Sequence, residues 1–68
     1  MSNDFDIVDD RAPGWRFRAT ETSMNVYLIE GRDPAGRSVS RQGDRYDDLF
    51  NEVVADAILL SRRNSNSN

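Results

Sequence analysis

Sixty-eight residues, 37% hydrophobic and 31% charged, limit the chain to one small domain with a thin core. Cys and His are both absent, which excludes disulfides, thiol and imidazole nucleophiles, histidine general bases, haem ligation and the usual zinc sites. Twelve acids against nine cations, all of them Arg, give a net charge of −3, and no apolar run approaches the roughly 20 residues that span a bilayer.

The first ten residues are acidic where a signal peptide would be basic and then apolar, so the chain is expected to be cytoplasmic. Residues 1–11 read as an acidic, flexible arm, although the alternation of Asp4, Phe5, Asp6 and Ile7 would also suit an edge strand. Pro13 and Gly14 punctuate the chain, and from Trp15 a period of two sets Trp15, Phe17 and Ala19 against Arg16, Arg18 and Thr20, as in a strand with one buried face. After the polar break at Glu21 to Ser23, a second strand is expected over Met24 to Glu30. Pairing Ala19 with Val26 and Phe17 with Leu28 would bury Trp15, Phe17, Ala19, Met24, Val26 and Leu28, leaving Arg16, Arg18, Tyr27 and Ile29 on the outer face.

Gly31 to Gly36 carries the strongest turn signal, with Pro34 presetting φ, Asp33 able to accept backbone bonds and Gly36 tolerating positive φ. A short polar strand, Arg37 to Gln42, returns with Val39 inward against Leu28 and with Ser38, Ser40 and Gln42 outward. At Gly43 the period changes to 3.6. Asp44 is an expected N-cap for a helix from about Arg45 to Arg62, whose stripe of Tyr46, Leu49, Phe50, Val53, Ala57 and Leu60, flanked by Val54 and Ile58, would cover the inner sheet face. The expected fold is α+β: a three-stranded antiparallel β-meander packed on one C-terminal helix, a two-layer βββα domain over residues 12–62, with residues 63–68 a disordered polar tail. With so small a core, dimerisation is a second route to stability, and exposed Ile29 beside Tyr27 would suit a homodimer seam or another protein contact.

Two surfaces are candidates for function. On the helix, Asp48, Glu52 and Asp56 stand at i, i+4 and i+8 with no Arg four residues away, and Leu59 lies beside them as an apolar anchor. Such a face suits a partner protein with a basic groove, as an inhibitor, antitoxin, immunity or anti-defence protein would meet; an ordinary solvated helix face is the alternative. On the sheet, Arg16, Arg18, Tyr27 and Ile29 could stack bases and contact phosphates of single-stranded nucleic acid or RNA, or simply be the wet face of a two-layer unit. Acids spaced four apart on a straight helix cannot converge on one cation, so no metal and no cofactor is expected. Ser38, Ser40 and Ser61 have no His or Lys to activate them, and no glycine-rich phosphate loop is present, so no enzyme activity is expected either.

The strand, strand, strand, helix order, with the helix opening Gly43, Asp44, Arg45, Tyr46, Asp47, Asp48, Leu49, resembles the βββα core of the HicB family of antitoxins and, more distantly, that of double-stranded-RNA-binding domains. The resemblance spans roughly residues 15–61 and rests on element order. Where an RNA-binding domain of that kind has a basic cluster at the helix start, this chain has Asp44, Asp47 and Asp48, so no family site is carried over. In size and charge the chain is also similar to small acidic phage and mobile-element proteins, including anti-CRISPR and toxin immunity proteins.

Overall fold

A computed structural model describes residues 5–66, with side chains through residue 62. The alternating segment from Trp15 opens β1 (Arg16–Ser23), which pairs antiparallel with β2 (Val26–Arg32); β2 pairs antiparallel with β3 (Ser38–Gly43), and α1 (Tyr46–Asn66) closes the chain. The sheet order is β1-β2-β3, and α1 packs against β2 and β3. This is the expected βββα meander in two layers. No helix among the described residues is long and apolar enough to cross a membrane.

The register differs from the expectation. Phe17 pairs with Gly31 rather than Leu28, and Ala19 with Ile29 rather than Val26. The shift from residue 28 to residue 31 is three positions, an odd number, so every β2 side chain changes face. Ile29 is therefore core, at 0% exposure, and Tyr27 packs inward edge-to-face on Tyr46 with ring centroids 5.4 Å apart. Both were expected outside, so the proposed seam of Ile29 and Tyr27 does not form. Val26 and Leu28 alternate with them on the outer face, and Met24, expected in the core, is 84% exposed.

The cause is a reversal that comes later in the chain than the sequence suggested. β1 runs on through Glu21 to Ser23, with a bulge between Glu21 and Ser23, and the chain reverses over Met24 and Asn25. Asn25 takes φ 61°, a left-handed conformation that its short polar side chain tolerates. Gly31 and Arg32 consequently belong to β2, and the next turn is confined to Asp33–Gly36, closed by a Gly36 N–H to Asp33 carbonyl bond of 3.1 Å, with Gly36 at φ 95°. The Phe17 ring lies over Gly31: a Cβ there would sit 2.7 Å from its Cε2 and 3.1 Å from Val39 Cγ2.

Trp15, Phe17 and Ile29 from the sheet side meet Leu49, Val53, Val54 and Ala57 from α1, with Ala12 from the entering loop. Phe50, Ile58 and Leu60 pack around them, so the expected helix stripe is used from Leu49 onward, whereas Tyr46, expected to open it, is 39% exposed. The Arg45 carbonyl accepts the Leu49 N–H at 2.8 Å, which gives Arg45 rather than Asp44 the cap position. The helix passes its expected end at Arg62 and continues to Asn66, through residues assigned to the tail; residues 67 and 68 lie outside the described residues.

From residue 5 the acidic arm is docked on the sheet. Ile7 exchanges two backbone bonds with Phe17, N–H to carbonyl at 3.1 Å and carbonyl from N–H at 2.8 Å, covering part of the free edge of β1. Arg11 bonds Asn51 on α1 at 3.2 Å, and the Trp15 indole N–H donates to Ser61 Oγ at 2.9 Å.

Three substitutions check this register through chemical denaturation. Ile29→Ala is expected to cost about 2–5 kcal/mol and Leu28→Ala less than half as much. Gly31→Ala, which drives a methyl into a fixed ring, is expected to cost about 1–3 kcal/mol. A larger loss at Leu28 than at Ile29 would restore the originally expected faces.

Candidate functional site

The helix candidates occupy one side of α1, but their charges are engaged within the fold. Arg41, on β3, donates from Nε to Asp56 Oδ2 at 2.7 Å and from Nη2 to Asp56 Oδ1 at 3.3 Å, and its Nη1 lies 3.5 Å from Glu52 Oε1. Asp48 meets Arg45 Nε at 3.3 Å. The ladder expected to lack partners thus draws them from β3 and from i−3, neither of which a search at i+4 on the same helix would find. Asp56 and then Glu52 hold the Arg41 guanidinium above its ordinary pKa. Leu59 is exposed as expected, at 55%, beside a shallow hollow lined by Val39, Asp56, Leu59 and Leu60.

Across the molecule, register places Arg16 opposite Arg32 and Ser38 at one end of the outer face, then Arg18 opposite Glu30 and Ser40, then Thr20 opposite Leu28 and Gln42. Of the expected sheet site, Arg16 and Arg18 stand there while Tyr27 and Ile29 face the core. Two residues not assigned to the site complete it. Arg32 falls within the segment expected to turn, and Phe5 within the expected arm. The Phe5 ring is shared between two guanidinium groups, Arg18 at 4.4 Å and Arg32 at 4.6 Å from its centroid. Around them opens a concavity of about 650 Å³ lined by Phe5, Gly14, Arg16, Arg18, Arg32, Asp33 and Pro34.

Two acids near this face, Glu30 and Asp33, are each held by an arginine. Glu30 Oε1 accepts from Arg18 Nε at 3.0 Å and Nη2 at 2.7 Å. Asp33, buried in the turn, accepts the Arg37 N–H at 2.7 Å and Arg37 Nε at 2.6 Å. Burial opposes ionisation of Asp33, but the Arg37 bonds outweigh it and keep the carboxyl below its ordinary range. Arg37 also reaches the Leu60 carbonyl at 3.4 Å, fastening the turn to the helix. Among the described residues, Arg16 and Arg32 are in no salt bridge with a carboxylate. Arg16 and Arg32 therefore offer planar donors without a carboxylate partner among the described residues, which is chemistry for anions and flat π systems. Among the described residues no group of His, Cys, Asp or Glu could hold a metal ion.

Comparison with protein-family models, with curated proteins and with solved structures gives no match to this chain.

Two carboxyls, Asp9 in the arm and Asp33 in the turn, set an acid limit. Arg11, through its side chain and then its N–H, lowers Asp9 from 3.8 to about 2, and Asp33 is lowered in the same direction. A carboxyl depressed in the folded state stabilises fully above its unfolded pKa and loses that contribution as pH falls through the folded value. Urea midpoints are therefore expected to fall between about pH 4 and pH 2, and Asp9→Asn or Asp33→Asn should lower the midpoint at neutral pH while flattening the acid limb. An unchanged acid limb in both variants would contradict this assignment.

Proposed function

We propose that the chain is a binding protein without catalytic turnover, and that its working surface is the arginine-lined outer face of the sheet, which takes an anionic partner. The observation that carries this reading is the gathering of Arg16, Arg18 and Arg32 around one concavity in a protein of net charge −3, with the neighbouring acids Glu30 and Asp33 each held by an arginine. Local charge of this kind attracts a partner that the whole molecule would repel, at a distance set by the Debye length of about 8 Å at physiological salt.

Retention on a phosphocellulose matrix at low salt tests the reading. The wild-type protein is expected to be retained and to elute with salt; Arg16→Ser with Arg32→Ser should abolish retention, whereas Asp48→Ser, Glu52→Ser and Asp56→Ser together should leave it intact or strengthen it. Flow-through of the wild type, or equal retention of the double Arg variant, would overturn the proposal.

A second reading, supported by exposed Leu59 beside Asp56, keeps the helix as a contact for a protein with a basic groove, the mode of an inhibitor or antitoxin. The Arg41 and Arg45 pairs weaken it, because a basic partner would have to compete with cations already in place. The same helix variants distinguish the two: this reading requires the triple acid variant to lose binding to a basic partner protein that the double Arg variant retains.

A further inference from the structure

Resting on the sheet-face reading, we propose that the Arg18 and Arg32 guanidinium groups form a stacking site for a nucleobase of a single-stranded nucleic acid, with Arg16 beside them for phosphate, and that Phe5 is the built-in occupant which the base replaces. Three observations lead there. The two guanidinium groups stand 4.4 and 4.6 Å from one ring centroid, an arrangement that already holds a flat π system. Glu30 fixes the Arg18 guanidinium through Nε and Nη2, so it is oriented before a ligand arrives. Arg16 and Arg32, paired across the strands, line the concavity beside the ring and have no carboxylate partner among the described residues.

The ring belongs to a segment suited to exchange. Phe5 is half-buried, the following Asp6 is exposed, and among the described residues the first backbone bonds that attach the arm to the sheet are those of Ile7. Displacing Phe5 leaves the two Ile7–Phe17 backbone bonds in place. A base with its phosphate fits this pair of features better than an acidic peptide, which brings the anion without the π face. One phosphate contact at Arg16 implies a slope of log K against log salt of about −0.7 for a single strand.

Fluorescence anisotropy with three labelled probes tests the proposal: a hexanucleotide single strand, the same strand made abasic, and hexaglutamate. The hexanucleotide is expected to bind at least tenfold more tightly than the abasic strand, the loss expected for a single base stack. Phe5→Ala, which removes the competing ring, is expected to tighten hexanucleotide binding roughly 5- to 30-fold, equivalent to about 1–2 kcal/mol at 1.4 kcal/mol per tenfold. Arg32→Gln should weaken it, and Trp15 fluorescence verifies that each variant remains folded. Equal binding of all three probes would overturn this inference while leaving the anionic-partner reading in place. No binding of any probe would overturn both. Weaker hexanucleotide binding by folded Phe5→Ala would show that the ring supports the ligand and would overturn its role as occupant.

Discussion

The contact on which the molecule depends is the Phe17 ring lying over Gly31. No other residue type leaves room for it, since a Cβ at position 31 would sit 2.7 Å from the ring. That fit selects the pairing of Phe17 with Gly31 over pairings with the larger residues of β2, and the pairing dictates everything on both faces. Inside, it brings Ile29 beside Ala19 and under α1. Outside, it sets Arg16 against Arg32 and Arg18 against Glu30. The arginine cluster is thus a consequence of packing in the core on the other side of the sheet.

Charge is arranged on the same logic. The seven Arg of residues 11–45 are not equivalent: Arg11, Arg37, Arg41 and Arg45 meet acids at the arm, the turn and the helix, and Arg18 meets Glu30 across the strands. The exposed pairs at Arg11, Arg41 and Arg45 contribute at most about 1 kcal/mol each, so their main effect is positional. Arg37 fastens the Asp33 turn to the Leu60 carbonyl, and Arg41 spans from the edge strand to the helix. A guanidinium serves these roles better than an ammonium because its planar donors engage two acceptors at once, and the same planarity suits Arg18 and Arg32 to a ring.

The architecture was legible because two periods are written plainly in the sequence: Trp15, Phe17 and Ala19 at a spacing of two, then Leu49, Val53 and Ala57 at the spacing of a helix. The turn at Asp33–Gly36 was equally plain. Register was not legible, because β2 is apolar on both faces: Val26 and Leu28 compete with Tyr27 and Ile29 for the core, and the alternation alone does not rank them. The deciding signals were the left-handed Asn25, which permits a tight reversal, and Gly31, read as a turn residue when its role is to make room for a ring. The helix acids were legible as a row, but their partners come from β3 and from the preceding turn, which a one-dimensional spacing does not reveal. Phe5 and Arg32 are separated by the whole of the first hairpin, and only the fold brings them to one site.

Proton NMR of the wild-type protein tests the central claim most directly. With Phe17 over Gly31, the Gly31 Hα resonances should be shifted upfield by the ring current, with Overhauser contacts from the Phe17 ring to Gly31 Hα and from Ile29 methyls to Val53. Overhauser contacts from the Phe17 ring to the Leu28 methyls, with Gly31 at unshifted positions, would contradict the register and with it the grouping of Arg16, Arg18 and Arg32 on one face.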